Sequence, residues 1–252
     1  MIIGLIPSRL NSKRLKEKPL LEIDGLPIIV HSFKRAKLAK KLDKVIVCTD
    51  HQKIIDVVKK NNGEATLTSK KHKNGTERIY EVAKKMKSAS FIIDIQGDQP
   101  LISPEAIDLT IEFHKKNKQF DIVLPSMPIK DQEDNKSLVK TIFSEKGKII
   151  YFSRERVPYN YNSNKVIYYK NLSIISFKPD ALEKFYRSKM GKLEKIEGIE
   201  LMRALEIGLS IGTFVINGSD FAVDVNADLL KAINVMPKDK FRKLYWWINM
   251  IW

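Results

Sequence analysis

Hydrophobic and polar positions follow two rhythms along this chain. In the first half, short apolar runs such as FIIDI are separated by stretches with helical spacing. Runs at 2–6, 44–48, 65–67, 91–95 and 121–124 predict strands, and patterns near 27–38, 52–61, 75–87 and 104–117 predict helices between them. Pro27 and Pro104 suit first-turn positions, and Ser103 suits a helix N-cap. Near-continuous apolar strands alternating with amphipathic helices predict an α/β fold with a mostly parallel central sheet, flanked by helices on both faces.

The second half changes rhythm. Runs at 138–143 and 148–152 predict two strands joined as a hairpin through Glu145-Lys146-Gly147. A tyrosine- and asparagine-rich loop over 159–164 leads to a strand-like run at 166–177. Helices follow near 180–189 and 196–207, then a strand at 212–216 and a helix from about Asn226. There is no internal repeat and no long linker. The expectation is one domain over 1–252 with an inserted antiparallel region over about 130–195, serving as a lid or dimer arm.

Composition narrows the partners. The 252 residues suffice for one large core, and 43% apolar with 30% charged residues fits a soluble globular protein. The formal charge of +15 favours anionic partners. Most of the excess is lysine scattered in pairs such as Lys40-Lys41 and Lys59-Lys60, so nucleic acid is not the expected partner. The single cysteine, Cys48, excludes a disulfide framework and sits in a strand pattern as a buried, inert thiol. No window approaches a membrane span, and no leader precedes the first strand, so a cytoplasmic enzyme is expected. The end, FRKLYWWINMIW, clusters aromatics with Arg242 and Lys243; it could pack on the body, on a second subunit or on a membrane surface.

Ligands of open α/β sheets bind beyond the carboxyl ends of the strands. Polar residues recur there. The first strand opens at Pro7-Ser8-Arg9 into a loop carrying Lys13, Arg14, Lys16 and Lys18, a cationic segment fit for a polyphosphate. Thr49-Asp50-His51 follows the second strand and Lys73-Asn74-Gly75-Thr76-Glu77-Arg78 the third. The fourth gives Gln96-Gly97-Asp98, and Asp224 comes after the last. Asp98 and Asp224 offer two hard oxygen ligands suited to Mg²⁺, with Asp94 as a partner behind Gln96. Walker A, GxGxxG, HExxH and GxSxG patterns are all missing.

At these residues the sequence resembles the 3-deoxy-manno-octulosonate (Kdo) cytidylyltransferases. The likeness runs from Ile2 to about Leu230 through IPSRLNSKRLKEKPLLEIDGLPIIVH, VCTDHQKI, HKNGTERI, IQGDQPLI, YFSRERVPY and Val223-Asp224. The resemblance implies CMP transfer from CTP to a 2-keto-3-deoxy sugar acid, for lipopolysaccharide synthesis, by a homodimer. It implies Arg9, Arg14, Lys18 and Asp98 as catalytic residues. Pro7, Ser8, Asn74, Gly75, Thr76, Arg78 and Gln96 complete the nucleotide pocket, and Asp98 and Asp224 carry Mg²⁺. Gln96, Arg154, Asn171, Glu197 and Glu200 are candidates for the sugar acid.

Departures fall mainly on the sugar side. Asn171-Leu172-Ser173 stands where the family commonly has a His before Leu-Gly, and Glu200-Leu201 where it has Glu-Gln. Lys16 and Glu17 replace a usual Pro and Gly, and Val225-Asn226-Ala227 replaces Thr-Pro-Glu. The acceptor is therefore left open between Kdo and its 8-amino form, with a sialic-acid-like nonulosonate as the alternative within the class. A non-enzymatic anion- or nucleic-acid-binding protein is the alternative outside it.

Overall fold

A computed structural model describes the chain except residues 13, 131, 133, 163–165, 218–220 and 247–252. In chain order the elements are β1 Ile2–Ser8, β2 Glu22–Ile23, β3 Leu26–Pro27, α1 Ile28–Lys37, β4 Lys44–Thr49, α2 Gln52–Lys60, β5 Ala65–Leu67, α3 Gly75–Ala83, β6 Phe91–Ile95 and α4 Pro104–Lys116. Then come β7 Ile122–Pro128, β8 Lys140–Phe143, β9 Ile149–Ser153, β10 Tyr169–Asn171, β11 Ile174–Phe177, α5 Pro179–Arg187, α6 Lys192–Glu197, α7 Met202–Glu206, β12 Ile211–Val215, α8 Asn226–Val235 and α9 Arg242–Trp246. The chain divides into two compact units, Met1–Asp108 with Ser219–Trp252, and Leu109–Gly218.

In the first unit β5, β4, β1 and β6 lie side by side, all parallel. Ile3, Leu5, Ile6, Val47, Ile93 and Ile95 are fully buried, which is why these strands read as unbroken apolar runs. The amphipathic α1 and α2 turn Ile29, Phe33, Ile54 and Val58 inward. A second apolar cluster joins distant segments: Leu15, Ile23, Ile28, Leu101, Val223, Ala232 and Met236. Arg35, buried on α1, donates to the carbonyls of Leu101 and Ile102 and pairs with Asp239 at 2.5 Å. Cys48 is buried, and that burial pushes its thiol far above the ordinary range.

In the second unit β7 pairs in parallel with β12 along one edge and antiparallel with β10 and β11 along the other. β8 pairs with β10, and β9 with β8, both antiparallel. The β8–β9 hairpin turns at Gly147, whose φ of +73° is natural for glycine. Residues 130–195 lie wholly in this unit. His114 and Ser176 hydrogen-bond at 2.7 Å in its core, and Arg203 grips Glu194 through two 2.6 Å bonds.

Several expectations are corrected in detail. Pro27 closes a small hairpin and serves as the residue before α1, not as part of its first turn. That hairpin turns on Asp24 and Gly25, both with positive φ, and was not read from the sequence. The helix expected to reach residue 87 ends at Ala83. The run 166–177 is two strands, broken at Leu172-Ser173, and 196–207 is two helices, broken at Gly198 with φ +63°. Ser103 does cap α4, accepting from the Ala106 N–H.

Candidate active site

All of the site described next belongs to the first unit. The strand ends of β1 and β6, the start of α3 and the segment before α8 enclose a cavity of about 460 Å³. Its lining includes Pro7, Ser8, Arg9, Ser12, Arg14, Lys18, Asn74, Gly75, Arg78, Gln96, Asp98 and Asp224. Lys13 lies outside the described residues.

The apolar cluster explains the convergence of its charged groups. Leu15 and Val223 are buried together, so the opening loop is drawn to the segment bearing Asp224. The Val223 N–H donates to the Asp98 carbonyl at 3.0 Å, which sets the two acidic residues side by side. Buried Pro19 anchors the short 3-10 turn Lys18–Leu20. Lys18 Nζ then reaches both carboxylates, at 2.7 Å from Asp98 Oδ2 and 3.1 Å from Asp224 Oδ1. Arg14 donates to the same Asp224 oxygen at 2.7 Å. Glu17, before the turn, takes φ +49°, a left-handed conformation that glycine adopts without Cβ crowding, and pairs with Lys53. The hydrogen bond and charge of Lys53 hold its carboxyl below the ordinary range.

The other walls are fixed by capping and close approach. Asn74 caps α3, its Oδ1 accepting from the Glu77 N–H at 2.8 Å, while Glu77 accepts from the Lys73 N–H. A Cβ on Gly97 would stand 2.8 Å from the Pro7 carbonyl oxygen, so only glycine lets β1 and the β6 end approach this closely. Gln96 donates to Asp94 at 3.0 Å, as its same-face position predicts. Arg78 is buried; it donates to Asp50 and to Thr68 Oγ1, and the other Asp50 oxygen accepts the Leu10 N–H. Arg78 thus ties the opening loop to α3. Thr76 is buried in the first turn of α3 and is not among the lining residues.

His72 also lines the cavity, though its motif gave it no role in the sequence reading. Its Nε2 lies 2.5 Å from Glu81, which also accepts the Ser69 N–H. Burial works to raise the Glu81 pKa, yet these hydrogen bonds and the His72 charge hold it below the ordinary range. Pro19 and Ile28 are further lining residues that charge-based reading passed over.

The donor set fits a hard divalent ion. One lysine nitrogen already sits within hydrogen-bond range of both carboxylates, so Asp98 and Asp224 are close enough to share a cation. No group of three or more His, Cys, Asp or Glu side chains among the described residues is arranged to hold a metal ion, so remaining ligands would come from phosphate oxygens and water.

Arg154, Asn171, Glu197 and Glu200 lie in the second unit. Glu197 accepts from Tyr151 OH, Ser153 Oγ and the Arg154 N–H. The Arg154 guanidinium donates instead to the carbonyls of Lys136, Glu197 and Gly198. Among the described residues it pairs with no carboxylate. Buried Lys140 supports this corner, donating to the carbonyls of Asn135 and Arg154. Asn171 closes β10 opposite Ser126, and Glu200 precedes α7.

Lys18 and Arg14, paired with Asp98 and Asp224 beside the carboxyl ends of the parallel strands β1 and β6, mark this as an α/β protein whose cavity lies where such sheets bind their ligands. Comparison with known proteins makes the class specific. The family described as Cytidylyltransferase matches residues 3–211. A 3-deoxy-manno-octulosonate cytidylyltransferase of Fusobacterium nucleatum subsp. nucleatum is 36% identical over 242 residues, covering 95% of this chain and 98% of its own. One from Rickettsia bellii is 37% identical over 240 residues, covering 94% and 96%. A solved CMP:2-keto-3-deoxy-manno-octonic acid synthetase, complexed with CTP, superposes with a TM-score of 0.91 at 30% identity, over 94% of this chain and 98% of that one. A glucose-1-phosphate thymidylyltransferase-type structure from Bacillus anthracis shares the fold alone, at TM-score 0.70 and 15% identity, over 97% and 99% of the two chains. The chain belongs to the 3-deoxy-manno-octulosonate cytidylyltransferase family.

Proposed function

We propose that the chain transfers CMP from CTP to a 3-deoxy-manno-octulosonate-type acid, forming the CMP-sugar and pyrophosphate for lipopolysaccharide synthesis. The observation that carries this reading is the convergence of Arg14, Lys18, Asp98 and Asp224 in one strand-end cavity, within a chain of this family. The acceptor's anomeric hydroxyl oxygen forms a bond to the α-phosphorus. The bond from that phosphorus to the bridging oxygen breaks, the hydroxyl proton passes to water, and pyrophosphate leaves.

Arg9, Arg14 and Lys18 neutralise the phosphates and the charge that develops on the leaving pyrophosphate. Asn74, Gly75, Gln96 and the Arg78-braced wall orient the nucleoside end, with Pro7 and Ser8 closing the same side. Asp98 and Asp224 would hold Mg²⁺, which when bound screens the two anionic reactants and polarises the α-phosphate. The Arg154 guanidinium, oriented by three backbone carbonyls, fits the acceptor carboxylate, with Asn171, Glu197 and Glu200 shaping that side. Holding both reactants in register supplies much of the acceleration without a covalent enzyme intermediate.

The region 130–195 serves acceptor binding and subunit pairing, and the protein works in the cytoplasm as a homodimer. No helix among the described residues is long and apolar enough to cross a membrane. The test is pyrophosphate release with Mg²⁺ and each of the four nucleoside triphosphates, against Kdo and 8-amino-Kdo in parallel. CTP should be the preferred nucleotide with at least one of these acids. The ratio of the two acid rates assigns the acceptor, and Asn171→His should shift that ratio more than it shifts the KM for CTP. Absence of CTP-dependent release with both acids would refute the reading.

A further inference from the structure

Two carboxylates, Asp98 and Asp224, face two cations, Lys18 and Arg14, so without ligands the quartet is already charge-balanced. The two cations are not equivalent. The Lys18 side chain is 14% exposed and bridges both acids, whereas Arg14 is 60% exposed and, among the described residues, pairs with Asp224 alone. Lys18 also begins the anchored 3-10 turn, so its stem is fixed at the base while its ammonium can swing. A divalent ion arriving alone must displace that ammonium while the nearby guanidinium repels it. A triphosphate changes this balance. It offers several charged oxygens to Lys18 and a bidentate partner to Arg14, and both acids are released.

We propose that Lys18 is the resident counter-ion of the Asp98–Asp224 pair, so that metal enters this site only together with the nucleotide. The inference rests on the reading of these two acids as the metal-holding pair. It makes Lys18 a gate on metal entry in addition to a phosphate contact. Metal and nucleotide then bind with positive coupling, and by linkage each tightens the other by the same factor. An unproductive acid–metal complex without nucleotide does not accumulate.

The test is binding, not turnover. Mn²⁺ uptake by the nucleotide-free protein is measured by calorimetry for the wild type, Lys18→Met and Lys18→Met/Asp98→Asn. Affinity for the α,β-methylene analogue of CTP is measured for the wild type in Mn²⁺ and in EDTA. Lys18→Met should take up Mn²⁺ at least about tenfold more tightly than the wild type, and the double variant should lose that gain. The analogue should bind the wild type more tightly in Mn²⁺ than in EDTA. Wild-type protein that binds Mn²⁺ alone as tightly as Lys18→Met would overturn the gate and leave the metal pair standing. An analogue affinity indifferent to Mn²⁺ would overturn both. If circular dichroism shows Lys18→Met unfolded, Lys18→Gln replaces it. The wild-type arms remain decisive, because tight nucleotide-free Mn²⁺ binding contradicts the proposal by itself.

Discussion

Asp98 shows how much of a site one position can carry. It follows a buried strand, so its carboxylate sits at the strand end, and its backbone carbonyl holds Val223 beside it. Its own ion pair with Lys18 is partly exposed and contributes little to stability. Asp98→Asn should therefore lower kcat/KM about a hundredfold or more while leaving the thermal midpoint nearly unchanged. Steady-state kinetics beside a melting curve checks this, and near-normal turnover would remove Asp98 from the chemistry. The positions of Arg14, Lys18, Asp98 and Asp224 at the cavity were legible because open α/β sheets gather their ligands beyond the strand ends, where the segments after β1 and β6 and the one before α8 meet. His72 was not, because a histidine two residues before a helix cap gives no periodic or charge signal. Nor could Arg78's ties to Asp50 and Thr68 be read from the sequence, since they depend on which loops meet in space.

Elements are held in place by polar anchors that the hydrophobic pattern does not reveal. Arg35 lies on the buried face of α1, a position that periodicity alone assigns to an apolar side chain. It holds the segment after β6 through two carbonyls and the start of α9 through Asp239. Burial works to raise the Asp239 pKa, but the Arg35 hydrogen bond and charge, with the N–H groups of Phe241 and Arg242, keep it below the ordinary range. Arg35→Met should cost roughly 3 kcal/mol or more, because it strands a carboxylate and two carbonyls. Denaturant unfolding would measure it, and a loss under about 1 kcal/mol would show that the anchor is dispensable. Strand positions in the first unit were readable because both faces are buried and the runs are unbroken. The second unit was harder, since Leu172-Ser173 and Gly198 interrupt runs whose composition stays continuous.

At the scale of the molecule, two buried histidines, one in each unit, couple folding to pH. His31 donates from Nε2 to the Ile23 carbonyl and its Nδ1 meets Tyr245 OH; His114 donates from Nε2 to the Phe120 carbonyl and its Nδ1 meets Ser176 Oγ. Burial lowers both from 6.5 to about 4, so each ring is neutral near pH 7. Between those values the unfolded chain binds more protons, so stability rises with pH across the window. The contribution is complete above 6.5, up to roughly 3 kcal/mol per histidine, and is gone below about 4. Unfolding free energies at pH 7 and pH 5 should differ by at least about 1 kcal/mol, the lower pH being weaker; equal values would contradict the neutral assignment.

If the proposed chemistry holds, a sugar-acid hydroxyl attacks the α-phosphorus of CTP held in the strand-end cavity. The most direct measurement follows the label from CTP carrying ³²P at the α position, incubated with the protein, Mg²⁺ and each of Kdo and 8-amino-Kdo. With the accepted acid all transferred label should appear in a CMP-sugar, with one unlabelled pyrophosphate released per product. Label in pyrophosphate, label in free CMP formed without the acid, or no transfer to either acid would contradict it.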